Sequence, residues 1–386
     1  MYNIKLLNKI AKVGTDELDK TLYNLGTDIE NPDAIMVRSA VMHDMVFGDK
    51  LLAVARCGAG VNNIPIDRCS AAGVVVFNTP GANANGVKEL TICALMLASR
   101  KITDGIEWVK SLKGTTDVAK AVEAGKSKFG GYEVFGKTLG VIGLGAIGGM
   151  VASTATHLGM NVIGCDPYLT VEGAWSLSRS VRRAASYDDI YRDADYITLH
   201  VPATPQTKNM INAETIATMK DGVRIINLSR ADLVNNADIK AALASGKVSV
   251  YVTDFPTDDL VGVEGVIAIP HLGASTEESE DNCAVMAAHQ LDDYIRYGNI
   301  TNSVNFPNAS LPKSGDTRIC VIHANIPSLI SQITTALSEL HINIENLINK
   351  SKGDNAYTII DINGSLPQSA VNKISAIGGV VRMRVI

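Results

Sequence analysis

The stretch Thr138–Asp166 constrains the fold more than any other: a short apolar run opens onto Gly143-Leu144-Gly145-Ala146-Ile147-Gly148, and an acidic residue follows eighteen positions after the last glycine. Each part answers a physical demand of dinucleotide binding. Gly143 permits a tight turn, Gly145 lets backbone approach a pyrophosphate, and Gly148 lets a helix pack closely on a strand, so that the helix N-terminus faces the phosphates. The apolar run Asn161–Cys165 reads as the next strand, and Asp166 at its tip can accept hydrogen bonds from both ribose hydroxyls of NAD while repelling the extra phosphate of NADP. Glycine turns of this kind also serve purely structural ends. The ordered series strand, glycines, helix, strand, acid favours an NAD site.

Further apolar strands are expected at Tyr196–His200, Val223–Leu228, Ser249–Asp254 and Val266–Ile269, alternating with helical patterns such as Ala237–Ser245. That alternation predicts an α/β, Rossmann-like doubly wound parallel sheet. Ligands of such sheets bind beyond the carboxyl ends of the strands, which directs attention to His200 and Pro202, Leu228, Ser229 and Arg230, Asp254, and His271. Residues 1–95 repeat the alternation less clearly, with strands at Ala34–Arg38, Leu51–Arg56 and Val74–Asn78. Helical patterns at Glu89–Lys110 and Glu277–Tyr297 carry the chain from this lobe to the next and back. The expected organisation is a discontinuous flavodoxin-like domain (1–95 and 275–300), an NAD-binding domain (96–274), a linker rich in Asn, Ser, Pro and Gly (301–316), and a C-terminal domain (317–386). Within the last, Thr317–His323, Pro327–Leu340, Asn343–Asn349, Ala356–Ile362, Gln368–Ile377 and Val380–Ile386 spell a ferredoxin-like βαββαβ unit.

The 386 residues suit two or three domains, and a hydrophobic content of 46% suffices to bury their cores. A net charge of −5, with Lys and Arg scattered, supplies no basic stripe for nucleic acid or anionic lipid. The six cysteines show neither metal-ligand nor CxxC spacing, so no metal is expected and a reducing cytoplasm fits best. No apolar run approaches membrane-spanning length.

His271, directly after a strand end, is the leading general acid/base, since imidazole titrates near neutrality. An isolated histidine is more often a surface or satisfied core residue, but Asp254, Asp258 and Asp259 precede it in a loop that could orient the ring, or that could be merely solvated. Arg230 offers a guanidinium suited to a carboxylate, or to a surface ion pair. An NAD site, an arginine and a histidine on successive strand ends point to hydride transfer between a 2-hydroxy and a 2-oxo acid.

Arg56-Cys57-Gly58-Ala59-Gly60-Val61-Asn62-Asn63, Asn78-Thr79-Pro80-Gly81, Gly143–Gly148, Asn227–Arg230 and Pro270-His271-Leu272-Gly273-Ala274-Ser275-Thr276 resemble the D-2-hydroxyacid dehydrogenase family over nearly the whole chain. The resemblance is to its 3-phosphoglycerate-oxidising branch. It implies NAD-dependent oxidation of 3-phosphoglycerate to 3-phosphohydroxypyruvate, which opens serine synthesis, and a C-terminal ACT domain. By the same resemblance His271 takes the C2 hydroxyl proton and Arg230 holds the carboxylate and developing carbonyl, while Ala59 and Gly60 grip the carboxylate through backbone amides. Arg38, Ser39 and Arg56 are implied for the distal phosphate, and Ala146, Ile147, Asp166, Leu228, Ser229, Asp254 and Gly273 for NAD. His323, Asn325 and Asn343 match positions that hold an L-serine effector, and a homodimer or homotetramer is implied.

Three departures from the family pattern stand out. The loop after the fifth strand of the NAD domain is one residue short and offers Asp258 where a Glu-Pro pair is usual. Ala231 replaces a glycine, and Asn62 adjoins a position that is usually acidic. The turn Asn325-Ile326-Pro327-Ser328 also lacks the usual glycine. A dehydrogenase for a non-phosphorylated 2-hydroxy acid remains an alternative, as does a non-catalytic NAD-binding regulator.

Overall fold

The computed structural model describes residues 1–386. Two compact units are present, one made of Met1–Asn83 with Glu277–Ile386 and the other of Ala84–Thr276. Each change of unit falls at the start of a long helix, Ala84–Ser99 or Glu277–Tyr297.

The first unit begins with strands β1 (Tyr2–Leu7), β2 (Tyr23–Gly26), β3 (Ala34–Val37), β4 (Ala53–Arg56) and β5 (Val75–Phe77). They form a parallel sheet of order β2-β1-β3-β4-β5, the flavodoxin arrangement. Sequence patterning misses β1 and β2, because β1 alternates weakly and β2 carries polar Asn24 and ends in Gly26. One face of the sheet is closed by helix Glu277–Tyr297, whose Ala284, Ala287, Ala288 and Leu291 meet Ile4, Met36, Ala55 and Phe77 in one buried cluster. Small residues on the helix let it lie close to the strands.

The second unit holds β6 (Thr138–Ile142), β7 (Asn161–Cys165), β8 (Val181–Arg183), β9 (Tyr196–Leu199), β10 (Val223–Asn227), β11 (Val248–Thr253) and β12 (Val266–Ala268). All seven run parallel, in the order β12-β11-β10-β9-β6-β7-β8. The central strands are buried on both faces, which is why β6, β9 and β10 read as continuous apolar runs. The strand order reverses direction between β6 and β9, the point at which doubly wound sheets bind ligands. The short edge strand β8 escapes a sequence reading because Arg182 and Arg183 are exposed. The pattern expected as one helix over Glu89–Lys110 is two: Ala84–Ser99 is half buried, and Ile102–Ser111 buries no residue. The break follows Ser99, whose hydroxyl is held in the core by Leu95 O (2.7 Å) and the Tyr196 hydroxyl (2.8 Å).

The first unit is completed by β13 (Thr317–Ala324), β14 (Ile344–Lys352), β15 (Asn355–Ile362) and β16 (Val380–Val385), with helices Leu329–Ser338 and Gln368–Ser375 between them. The succession is βαββαβ and the antiparallel sheet order is β14-β15-β13-β16. Cys320, Ile322, Tyr357 and Ile359 of this sheet share the buried cluster of the five-stranded lobe. At its heart fully buried Arg318 makes a bidentate pair with Asp361, at 2.7 Å through Nε and 2.7 Å through Nη2. Residues 301–316 contain no helix or strand, yet Asn305, Phe306 and Ala309 are buried. The Asn305 side chain accepts from Val76 N (2.9 Å) and donates to Val74 O (2.9 Å), satisfying the open edge of β5 as a neighbouring strand would.

Candidate active site

In the second unit the chain turns sharply after β6. Gly143 adopts φ +89°, and a Cβ there would lie 2.5 Å from the carbonyl oxygen of His200. A Cβ on Gly148 would stand 1.9 Å from Gly143 O, so the helix Ala146–His157 can start this close to the strand only with glycine in its first turn. Gly145, by contrast, faces open space, with no heavy atom within 4 Å of an added Cβ. No side chain caps that helix, whose first amides are left for an incoming anion. Asp166 ties the loop together: its Oδ2 accepts from Leu144 N and its Oδ1 from Tyr168 N, each at 2.9 Å. Beside them opens a cavity of about 500 Å³ lined by Gly145, Ala146, Asp166, Tyr168 and, from the helix Ala84–Ser99, Lys88. Sequence reading had no signal for Lys88, which reaches this wall through tertiary packing alone. The glycine cradle, bare helix terminus and adjoining acid fit the pyrophosphate and ribose of a dinucleotide.

His200, at the end of β9, bonds the Thr198 hydroxyl through Nε2 (2.9 Å), and burial pushes its imidazole down to about 4. It therefore stands as a neutral side chain, rather than a charge, behind the glycine turn, its carbonyl facing Gly143 and its Cβ facing Gly148. Pro202 is exposed just beyond it, and Leu228 is buried at the tip of β10.

The turn after β10 is built around Asn227, fully buried at the strand end. Its Oδ1 accepts from Ser229 N (3.2 Å) and Arg230 N (3.3 Å), and its Nδ2 donates to Arg230 O (2.8 Å). The Ser229 hydroxyl donates to Val201 O at 2.8 Å, joining the tips of β9 and β10. Arg230 itself is exposed, with Nη1 donating to Ser229 O (2.6 Å) and the rest of its fork open. Asn227 is the positioning residue whose part sequence reading did not assign; it stood there only as the first residue of the Asn227–Arg230 motif and as a polar residue closing an apolar strand.

Asp254, at the tip of β11, is buried, and both carboxylate oxygens lack a hydrogen-bond partner. Burial raises its carboxyl above the ordinary value, opposed first by the positive charge of His271, then by the nearby backbone amides of Gly273 and of Asp254 itself, and last by Arg230. Those three side chains form one electrostatic group. His271 is exposed and packs its ring on Phe255, centroids 4.8 Å apart. Gly273 is buried near the Asp254 carboxylate, where a Cβ would sit 3.5 Å from Oδ2. Asp258 stands exposed in the shortened turn and makes no hydrogen bond or ion pair. Its neighbour Asp259 is held by Lys240 (2.9 Å), Thr257 and Asn236, with Lys240 foremost in drawing its carboxyl down to about 2.

A profile of the D-isomer specific 2-hydroxyacid dehydrogenase NAD binding domain matches residues 92–273. The chain is 31% identical over 351 residues to D-3-phosphoglycerate dehydrogenase of Escherichia coli, covering 88% of this chain and 82% of that protein. It belongs to the D-2-hydroxyacid dehydrogenase family. The D-3-phosphoglycerate dehydrogenase of Methanocaldococcus jannaschii is 36% identical over 321 residues, covering 81% of this chain; the chain spans 59% of that longer protein. Among solved structures, 3-phosphoglycerate dehydrogenase of Entamoeba histolytica with NAD+ bound superposes with a TM-score of 0.61 at 25% identity, covering 79% of this chain and 98% of that one. The second unit is thus the NAD-binding domain of a D-2-hydroxyacid dehydrogenase.

In the first unit, Arg38, Ser39 and Ala40 all turn their backbone amides toward Oδ1 of Asn8, at 3.4, 3.1 and 2.8 Å. Asn8, at φ +88°, has no sequence signal beyond following β1. Arg56 extends from β4 into the hollow left by Gly58, where a Cβ would lie 1.4 Å from its Nη1. Its Nε is buried without a partner. Ala59 O accepts from Asn78 Nδ2 at 2.7 Å, which holds the Ala59-Gly60 loop against the Asn78–Gly81 turn.

In the C-terminal sheet His323 is buried, with Nδ1 on Ala324 O and Nε2 on the Thr358 hydroxyl, each at 2.8 Å. Asn325 donates to Gly353 O (3.0 Å) and Asn343 to Glu345 (3.1 Å), both exposed. Ser328 takes the left-handed conformation, φ +66°, that a glycine there would adopt freely. No helix is long and apolar enough to cross a membrane.

Proposed function

We propose that this chain oxidises 3-phospho-D-glycerate to 3-phosphohydroxypyruvate with NAD, the step that opens phosphorylated serine synthesis. The observation that carries the reading is the charge group Arg230, Asp254 and His271 on successive strand ends of an NAD-binding domain. When bound, NAD supplies the acceptor for the hydride leaving C2. His271 takes the C2 hydroxyl proton, and Arg230 orients the substrate carboxylate and draws electron density toward the developing carbonyl oxygen. Asp254, buried and without a bonding partner, offsets the imidazolium charge. Asp258, the carboxylate expected beside His271, is exposed and makes no ion pair with it. Arg38, Ser39 and Arg56 receive the distal phosphate, and Ala59 and Gly60 the carboxylate.

The names of the relatives and the arginine pair Arg38 and Arg56 favour a phosphorylated substrate over other 2-hydroxy acids. The test is NADH formation with 3-phosphoglycerate against D-lactate, D-glycerate and 2-hydroxyglutarate, with the keto product trapped. Selective turnover of 3-phosphoglycerate is expected; selective turnover of another acid overturns the substrate, and no turnover with tight NAD binding favours a regulator.

The βαββαβ unit is proposed as an ACT domain taking L-serine through Asn325 and Asn343. His323, with both ring nitrogens engaged, serves the sheet instead. Calorimetric titration with L-serine yielding no heat and no change of rate overturns this. A cytoplasmic homodimer or homotetramer is proposed, supported by the exposed Ile102, Ile106, Val109 and Val118 on helices that bury nothing; sedimentation measures it.

A further inference from the structure

Arg38 is not free in this structure. Its Nη2 makes an ion pair with Oε1 of Glu280, in the first turn of the helix Glu277–Tyr297. Both side chains remain partly open to solvent, at 43% and 40% exposure, so water and solutes reach the pair. Three residues on, Cys283 is buried in the same core cluster as Ala55 and Cys57, the neighbours of Arg56 in the chain. Positions i and i+3 share a helix face, so Glu280 lies on the side that meets the ends of β3 and β4. Arg38 and Arg56 are themselves close enough for the charge of one to disfavour that of the other. Arg38 directly follows Val37, which pairs with Arg56 across β3 and β4, so the two arginines leave neighbouring strand ends, and Glu280 is the one carboxylate paired with either.

A carboxylate and a phosphate present similar oxygen pairs to a guanidinium. A distal phosphate reaching Arg38 must either displace Glu280 or sit beside it against like-charge repulsion. Displacement is mild, because Glu280 leaves an exposed pair of small net worth and stays in the first turn of a helix, where the N-terminal amides favour negative charge. A substrate without a distal anion leaves the pair untouched.

We propose that Glu280 is an internal stand-in for the substrate's distal anion, holding Arg38 in the free protein and exchanged for phosphate on binding, so that it sets the affinity for phosphorylated over non-phosphorylated 2-hydroxy acids. This rests on Arg38 and Arg56 as the phosphate ligands. The test compares the full-length wild type with Glu280→Gln, and with Glu277→Gln as a control that removes the same charge from the same helix turn. With Glu280→Gln the KM for 3-phosphoglycerate is expected to fall about two- to five-fold, the range for releasing an exposed ion pair. kcat should change less, KM for D-glycerate should not move, and Glu277→Gln should behave as wild type. An unchanged or higher KM for 3-phosphoglycerate in Glu280→Gln overturns the proposal while leaving the substrate assignment intact. If the wild type does not turn over 3-phosphoglycerate, calorimetric titration of both proteins with inorganic phosphate decides separately: tighter binding by Glu280→Gln upholds the exchange and refutes the activity, and equal binding overturns the exchange.

Discussion

Replacing Asn227 by alanine should uncouple the position of Arg230 from the sheet that carries it. The side chain is fully buried and supplies three bonds to the following turn, at 2.8, 3.2 and 3.3 Å. Each is worth about 0.5–1.5 kcal/mol net, and alanine strands two N–H groups and one carbonyl in a partly buried turn, so the expected loss of stability is about 2–3 kcal/mol. For a domain of this size that lowers the melting temperature by roughly 4–12 °C. The effect on turnover has a different origin. Arg230 loses the tether on both its N–H and its carbonyl, and a displacement near 1 Å at a reacting group can cost about a hundredfold. kcat/KM should fall about ten- to a hundredfold, with NAD affinity reduced far less. Asn227→Asp keeps the acceptor for the two amides but turns an oxygen toward the Arg230 carbonyl, and should recover only part of the loss. Denaturation curves and initial rates on the same preparations test the two effects together. A variant that loses stability yet retains wild-type kcat/KM would refute the positioning argument, and one that loses neither would refute the bonding geometry.

Burial holds His200 neutral down to about pH 4, whereas the unfolded chain protonates this residue near 6.5. Its contribution to stability is therefore complete above pH 6.5 and is lost as pH falls from there toward 4, by about 1–3 kcal/mol after allowing for partial exposure; denaturation midpoints across that window should show the decline. Gly145→Ala should fold as the wild type does but bind NADH more weakly, while Gly143→Ala should lose both stability and binding, because its Cβ meets the His200 carbonyl in a left-handed turn; fluorescence titration and melting separate the two. Arg318→Met leaves the Asp361 carboxylate buried without its partner and should cost about 3–5 kcal/mol, most of it recovered in Arg318→Met/Asp361→Leu, as chemical denaturation would measure.

What could be read in the sequence was whatever local geometry imposes on residue type. The glycines around Gly143 and the uninterrupted apolar strands β6, β9 and β10 carry their reasons in the chain itself, as do the four strands and two helices of the C-terminal βαββαβ unit. Asn8 and Asn227 organise the arginines Arg38 and Arg230, but their effect depends on which backbone amides the folded turn brings round, and one asparagine looks like another in sequence. Glu280 lies far from Arg38 along the chain, so no spacing could announce their pairing. The turn-rich stretch 301–316 has the composition of a linker because the polar side chains that suit solvent also suit the unpaired edge of β5. The shortened loop at Asp258 was visible as a departure, but where its carboxylate would point was not.

Asn305 and the helix Glu277–Tyr297 have a bearing on how this polypeptide is made. The five strands of residues 1–83 leave the ribosome with one face uncovered and the β5 edge unpaired, and the segments that close them are translated only after the whole NAD-binding domain. That domain is one continuous stretch and can fold as soon as it emerges, while the lobe synthesised first waits with apolar surface and strand edge open. Order of synthesis and order of completion are thus inverted. The apolar face and strand edge of the first lobe stay open until the residues that finish it have been made.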